Sequence, residues 1–213
     1  MNATPSDIQS MPFVLERIKK VRDMRLESGF GPTRELANRP TQFRETWNPD
    51  AYVVIPRVSS ERRRYVPMGF LDKDTIPTDS VIIIPEASIY HFGILTSNVH
   101  MAWMRVVAGR LKSDYRYSKD IVYNNFPWPN PTEAQKTKIE ATAQAILDAR
   151  ALYPDSSLAA LYDELTMPPE LRKAHQNNDR AVMEAYGFDW RNMSESDCVA
   201  ELMKLYQQLV SKE

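Results

Sequence analysis

Five basic side chains lie between Trp103 and Pro129, interleaved with aromatic residues. Lysine and arginine donate to phosphate oxygens and to the two base-edge acceptors of guanine, whereas aspartate accepts from the cytosine amine. The combination is typical of a surface that contacts nucleic acid. A basic helix end followed by an ordinary buried strand would give the same composition, because basic patches are common. The basic residues are Arg105, Arg110, Lys112, Arg116 and Lys119, and Asp114 lies between Lys112 and Arg116.

Charge is distributed unevenly along the 213 residues. Residues 1–130 contain 18 Lys or Arg and 14 Asp or Glu, whereas residues 131–213 contain 9 and 14. The net charges are therefore +4 and −5, and only the first region suits a polyanion. Because the excess of +4 is modest, we do not expect strong DNA binding by this chain alone. The two regions are expected to contact different partners.

The remaining composition excludes several protein classes. No apolar run approaches the length of about 20 residues that a membrane helix needs, and residues 1–10 are too polar for a signal peptide. A single cysteine, Cys198, excludes an internal disulfide framework and fits a reducing cytoplasm. The three histidines have no cysteine partners at zinc spacing, so no metal site is expected.

The positions of apolar residues predict an α+β fold. Residues 1–10 are expected to be a disordered leader, residues 11–130 a mixed α/β domain, and residues 131–213 an all-helical domain. In the mixed domain we predict a basic amphipathic helix over Met11–Ser28, strands over Ala51–Pro56, Tyr65–Leu71 and Val81–Pro85, and a helix capped by Thr96 or Ser97 that continues to about Arg110. In the helical domain we predict helices starting after Asn130, over Ser157–Leu165, over Pro169–Tyr186 and after Ser194.

Motifs of catalysis are missing from the sequence. It contains no glycine-rich dinucleotide loop, no phosphate-binding loop, no nucleophile elbow and no H-E-x-x-H pair. His175 is predicted to be a solvated residue on a polar helix, and Cys198 a buried small apolar residue. Tyr123, Phe126 and Trp128 are predicted to pack in the core or at a domain junction. We therefore expect this chain to be inactive as an enzyme by itself.

Several long motifs resemble one known family, the MmeI-like (Type IIL) restriction–modification enzymes. The resemblance covers most of residues 11–190 and is carried by I-P-R-V-S-S-E-R-R-R-Y-V-P-M-G-F-L (55–71), Y-H-F-G-I-L-T-S (90–97), G-R-L-K-S-D-Y-R-Y-S (109–118), Y-N-N-F-P-W-P (123–129), L-Y-D-E-L-T-M-P-P-E-L-R-K-A-H (161–175) and D-R-A-V-M-E-A-Y-G (179–187).

The resemblance implies a target recognition domain followed by the C-terminal helices of a larger polypeptide. Such enzymes carry an endonuclease region and an N6-adenine DNA methyltransferase core that uses S-adenosylmethionine. Their catalytic and cofactor motifs lie upstream of the part matched here, so no catalytic, cofactor or metal residue is carried over. The expected partners are double-stranded DNA and the methyltransferase core of the same polypeptide, in a prokaryotic cytoplasm and without a membrane.

The resemblance also implies pairs of side chains that read DNA bases. By motif position Lys112 and Asp114 match one pair, Arg57 and Asp79 a second, and Ser80 and Arg116 a third. A cation–carboxylate pair can read both bases of a G·C pair, at about 1–3 kcal/mol of discrimination. The alternative for each charged pair is a surface salt bridge, worth at most about 1 kcal/mol. The other basic residues, Arg62, Arg63, Arg64, Arg105, Arg110 and Lys119, are assigned to phosphates, which fix register without reading sequence.

A second function of another class fits the same sequence. The acidic helices after Pro131 could dock onto a protein partner while the front of the chain makes no direct contact with DNA.

Overall fold

The computed structural model describes residues 4–44 and 49–211. It divides into two compact units, Met1–Asn48 and Pro49–Glu213. Small antiparallel sheets precede a run of helices in the second unit, which confirms the predicted α+β class. Among the described residues, no helix is both long and apolar enough to cross a membrane.

The first unit is helical in the residues that the structure describes. Its elements are α1 (Pro5–Gln9), α2 (Pro12–Leu26), α3 (Gly31–Glu35) and a 3-10 turn at Leu36–Asn38. The prediction of a disordered leader over residues 1–10 differs from the structure, because Thr4 and Asp7 exchange the hydrogen bonds of a capping box that stabilises α1. Residues 1–3 of that leader lie outside the described residues. Helix α2 confirms a basic helix in the predicted range, but none of its residues is buried, so the predicted amphipathic face is not confirmed. Its Arg25 guanidinium donates to three backbone carbonyls farther along the unit.

Two three-stranded antiparallel sheets form the β structure of the second unit. The first has the order β3-β1-β4 and the second the order β2-β6-β5. The strands are β1 (Ala51–Pro56), β2 (Val58–Ser59), β3 (Gly69–Asp72), β4 (Val81–Pro85), β5 (Gly109–Leu111) and β6 (Asp114–Arg116). The predicted strand Tyr65–Leu71 pairs only from Gly69 onward. Its first residues are buried beneath helix residues instead, and the Val66 N–H donates to the Met101 sulfur at 3.4 Å.

Two helices connect the sheets. Helix α4 (Ile89–Leu95) was not predicted, since its apolar residues continue those of the preceding strand. Helix α5 (Asn98–Val107) is capped by Ser97, whose side chain accepts from the His100 N–H. Thr96 is excluded as the cap because its hydroxyl donates back to the Phe92 carbonyl at the end of α4. Helix α5 ends before Arg110 because Gly109 begins β5.

Four helices complete the second unit. They are α6 (Glu133–Ala151), α7 (Leu158–Leu161), α8 (Pro169–Tyr186) and α9 (Glu195–Val210). Helix α6 starts at a capping box formed by Thr132 and Gln135 rather than at Asn130. Helix α7 is shorter than predicted. Helix α8 has the predicted bounds and ends at Gly187, which has a left-handed φ of 72°.

The helices after residue 130 share one core with the sheets and with α4. Gly93 of α4 lies so close to α6 that a Cβ at this position would be 2.8 Å from the Ile139 side chain and 3.0 Å from that of Ala143. The Gly93 carbonyl also accepts from the Asn178 side chain at 2.7 Å. Glycine is therefore required here by the close approach of two helices.

Two histidines of the core, His100 and His175, are fully buried. Burial lowers the pKa of His100 and of His175 to about 3. The prediction that His175 is solvated was wrong, because its ring stacks on Tyr65 at 4.1 Å and its Nε2 bonds to the Tyr162 hydroxyl at 2.7 Å. Cys198 is buried, as predicted.

Gly93→Ala should destabilise the second unit by about 1–3 kcal/mol, the usual cost of overpacking a filled core. Urea unfolding followed by circular dichroism measures this change in the free energy of unfolding. Gly69→Ala is the matched control, because a Cβ there would meet only Leu158, at an ordinary 3.7 Å. Equal stability of the Gly93→Ala variant and the unsubstituted chain would contradict the close approach.

Candidate nucleic-acid interface

The β5–β6 hairpin presents Lys112 and Asp114 at its tip. Leu111 pairs with Asp114, so Lys112 and Ser113 form a two-residue turn. Lys112 has a φ of 56°, an uncommon backbone conformation for a residue other than glycine. Lys112 is exposed and Asp114 is half-buried. In residues 4–44 and 49–211 neither side chain forms an ion pair, which argues against the salt-bridge alternative for this pair.

Arg110 braces this turn from within the hairpin. Its guanidinium donates to the Ser113 carbonyl at 2.8 Å and lies 3.8 Å from the centre of the Tyr115 ring. It also lies 3.7 Å from a Glu61 carboxylate oxygen. The side chain thus has three neighbours that restrict it. A phosphate contact by Arg110 stays a prediction, and the structure adds that its planar group holds the turn in shape.

The second and third predicted pairs meet where the two sheets join. The Arg57 N–H donates to the Ser80 carbonyl at 2.9 Å, and the Arg57 carbonyl accepts from the Tyr117 N–H at 2.8 Å. Val58, the next residue, pairs with Arg116. The backbone of Arg57 is therefore bonded to both sheets and brings Ser80 and Arg116 into the same region.

All four residues of these two pairs are exposed. Alternation along β6 buries Tyr115 and turns Asp114 and Arg116 to the opposite, outer face. Among the residues that the structure describes, Arg57, Asp79 and Arg116 form no ion pair. The structure thus places the predicted readout residues on the outer face and at the hairpin tip of the second sheet, and at its junction with the first.

The segment Ser60–Arg64, which we call the arginine connection, separates two adjoining cavities of about 510 and 380 Å³. Arg62 is exposed, Arg63 is half-buried, and Arg64 lies 5.7 Å from the centre of the Tyr65 ring. Carboxylates line the same cavities. They are Glu61, Asp114, Asp163, Glu164 and Glu195. Arg62 and Arg64 are both exposed, and because Arg64 lies against the Tyr65 ring, Arg62 best suits a phosphate contact.

Arg105 and Lys119 both have protein partners, and those of Arg105 are distant in the sequence. Arg105 donates to the Glu195 carboxylate at 2.9 Å and to the Arg64 carbonyl at 2.7 Å, so it links α5 to α9 and to the arginine connection. A phosphate contact by Arg105 stays a prediction, and the structure adds these two protein partners. Lys119 pairs with Asp120 at 2.7 Å, but both side chains are well exposed, and such a pair is weak.

A buried carboxylate fixes the end of the arginine connection. Asp179 of α8 accepts from the Tyr65 hydroxyl at 2.6 Å and from the Asn98 N–H, the first in α5, at 2.8 Å. Burial raises the pKa of Asp179 to about 6. Sequence reasoning missed this residue, although it begins the motif at 179–187, because nothing local identifies a partner 114 positions away.

Aromatic residues behind the hairpin form part of the core. Phe126 is buried, and its ring contacts those of His100 and Trp128 at centre distances of 4.5 and 5.5 Å. Tyr123 and Trp128 are partly buried against the same core. The predicted packing role of these three aromatics is confirmed. Within the described part of the chain, no group of three or more His, Cys, Asp or Glu residues could hold a metal ion.

These features define a class of protein. It is a small α+β domain with an exposed, charged hairpin whose turn is held by Arg110, and helices of the same chain pack against it. Comparison with known sequences agrees. Residues 1–130 match the family described as "MmeI, target recognition domain", and residues 131–212 match "MmeI, C-terminal domain". Together the two matches account for nearly the whole chain.

Two relatives extend these matches. DNA methyltransferase A of Bacillus subtilis (strain 168) is 41% identical over 206 residues, which are 96% of this chain and 23% of that protein. The solved structure described as the Type IIL restriction-modification enzyme MmeI in complex with DNA superposes with a TM-score of 0.90 at 48% identity, over 99% of this chain and 28% of that one. The chain belongs to the MmeI family. It spans about a quarter of the length of these two relatives.

Asp179→Asn should change how stability depends on pH. The folded-state pKa of about 6 exceeds the unfolded value of 3.8, so the ionised carboxylate costs stability above pH 6, and this cost disappears as the pH falls toward 4. The free energy of unfolding of the unsubstituted chain, minus that of the variant, should therefore rise by on the order of 3 kcal/mol from pH 7 to pH 4.

Urea unfolding at each pH measures this difference. The subtraction removes the loss of stability in acid that both proteins share because His100 and His175 are buried. Asp189→Asn is the control, because Asp189 is an exposed residue whose pKa is lowered by its hydrogen bonds to Asn192 and Arg191. Parallel pH profiles for Asp179→Asn and the unsubstituted chain would contradict the burial of an ionisable carboxylate.

Proposed function

We propose that this chain recognises a specific sequence of double-stranded DNA and so selects the site on which a larger restriction–modification enzyme acts. The observation that carries the proposal is the hairpin tip, where Lys112 and Asp114 lie one residue apart on a braced turn. Within the described residues neither of them has a charged partner. The solved relative is a DNA complex.

The geometry of the hairpin suits readout of one base pair. A lysine can donate to guanine O6 and N7, and an aspartate can accept from cytosine N4, so the two side chains together specify a G·C pair. A side chain that reads a base must be held in place. Here Arg110 fixes the turn and Tyr115 fixes β6 in the core. Arg57 with Asp79, and Ser80 with Arg116, are assigned to neighbouring base pairs.

Phosphate contacts are assigned mainly to the arginine connection. Arg62 is exposed beside the cavity that Asp114 also lines, so a duplex that reaches the hairpin would pass this side chain. Phosphate contacts set orientation and carry no sequence information. Lys119 is a weaker candidate, since its pairing with Asp120 must first be broken.

Other steps are assigned to parts of the enzyme outside this chain. Methylation of an adenine, with S-adenosylmethionine as the donor, requires a methyltransferase core, which we propose as the partner of this domain in the same polypeptide. A cytoplasmic location belongs to the same proposal. The chain's own contribution is to place the DNA in register with that core.

The double substitution Lys112→Glu with Asp114→Arg should change the base preferred at one position. The reversed charges place a donor where the acceptor was and an acceptor where the donor was. The measurement is selection from a pool of randomised duplexes by the 213-residue chain at low salt, followed by sequencing. Lys204→Glu with Glu201→Arg is the matched control, because it exchanges an exposed charged pair on α9. An unchanged preference in the hairpin variant would refute the assignment of Lys112 and Asp114.

Arg62→Gln should weaken binding to all sequences by a similar factor. Loss of one phosphate contact should also lower the slope of log K against log salt by about 0.9. Titration of a selected and an unrelated duplex at several salt concentrations measures both effects. Lys204→Gln serves as the control for loss of one positive charge. A loss of affinity confined to the selected duplex would instead assign Arg62 to base readout.

A further inference from the structure

Leu165 is the most exposed large apolar side chain among the described residues, with 94% of its surface accessible. It belongs to the turn between α7 and α8. Exposure of a single leucine is common and needs no explanation by itself. The turn that carries this one, however, is held by hydrogen bonds, and it lines a cavity together with residues of the proposed DNA-binding surface.

Hydrogen bonds fix the turn on both sides of Leu165. The Leu165 N–H donates to the Asp163 carboxylate at 3.0 Å, and the Asp163 carbonyl accepts from the Met167 N–H at 2.9 Å. Arg172 donates to both the side chain and the carbonyl of Glu164, each at 3.1 Å. Tyr162 and Met167 are buried on either side. Leu165 is thus exposed on a turn that hydrogen bonds and buried neighbours hold in place.

Leu165 shares a cavity with the readout hairpin. It lines the cavity of about 380 Å³ together with Ser113 and Asp114 of the hairpin and with Arg62 of the arginine connection. Leu165 and Asp114 thus border the same space. A DNA groove that receives the hairpin therefore also meets Leu165.

Three of the carboxylates that line this cavity have a hydrogen-bond or ion-pair partner among the described residues. The Asp163 carboxylate is bonded to the Leu165 N–H, and that of Glu164 is paired with Arg172 at 3.1 Å. Glu61 lies 3.7 Å from the Arg110 guanidinium. Glu61 and Glu164 thus each lie beside an arginine, Asp114 is itself a proposed base contact, and Arg62 adds a positive charge to the same cavity.

We infer that Leu165 is a specificity residue that contacts the 5-methyl group of a thymine close to the G·C pair read by Lys112 and Asp114. The proposed lysine and aspartate contacts lie in the major groove, where the thymine methyl is the one apolar group on the base edges. A leucine held in the same groove suits that group and no polar base edge. The inference rests on the proposed function, since it requires DNA against the hairpin.

The experiment compares Leu165→Ala with the unsubstituted chain in the same selection from randomised duplexes. The control is Leu152→Ala, because Leu152 is also exposed, at 64%, and does not line either cavity. The unsubstituted chain and the control should select thymine at one position near the preferred G·C pair. Leu165→Ala should lose this thymine preference and keep the G·C preference. Thermal unfolding should be the same for all three proteins, because the removed atoms pack against nothing in the fold.

A second measurement isolates the methyl group. Uracil in place of the selected thymine removes one methyl and should weaken binding of the unsubstituted chain about fourfold. The same replacement should leave the affinity of Leu165→Ala unchanged. An equal loss in both proteins, or a thymine preference that survives Leu165→Ala, would overturn the inference and leave Leu165 to a protein contact.

The two proposals fail in different ways. If the unsubstituted chain selects a G·C pair that the hairpin substitutions alter, but Leu165→Ala changes nothing, only the leucine inference falls. If no duplex is selected at low salt, the proposed function falls and the leucine inference falls with it.

Discussion

The buried carboxylate of Asp179 is the contact on which the recognition surface depends. It accepts one hydrogen bond from Tyr65, the residue that follows the arginine connection, and one from Asn98 at the start of α5. Helix α5 leads directly into the β5–β6 hairpin. A single group on α8 is therefore bonded to both chain segments that carry the proposed DNA contacts. Because an ionised carboxylate is costly to bury, these two donors are needed to keep it there.

A chain of buried polar contacts continues from Asp179 through the helical region. The Tyr65 ring stacks on His175, whose Nε2 bonds to the Tyr162 hydroxyl. Arg150 donates to that hydroxyl at 2.9 Å and to the Met68 carbonyl at 2.7 Å. Helices α6 and α8, the residue that follows α7, and the segment before β3 are thus joined by directed contacts, which fix orientation better than apolar packing alone. The acidic helices thus help to hold the fold together, and this role requires no protein partner.

Local signals in the sequence predicted much of this fold. Strands β1 and β4 have their predicted bounds, and Pro and Gly punctuation placed both ends of α8. Contacts between distant residues could not be predicted in the same way. His175 is polar and lies on a polar helix, yet it is buried by Tyr65 and Tyr162. Arg105 was assigned to phosphate because its partner, Glu195, is 90 positions away.

The basic residues divide into those that build the surface and those that remain exposed on it. Arg105, Arg110 and Arg150 donate hydrogen bonds to acceptors within the protein, whereas Lys112 is exposed. With a net charge of only +4 in residues 1–130, total affinity of this chain for DNA should be low. Discrimination between bases does not depend on total affinity, because it is a difference between two binding free energies. A rigid hairpin with a low total affinity for DNA can therefore select a site, while the rest of a larger enzyme contributes the remaining affinity.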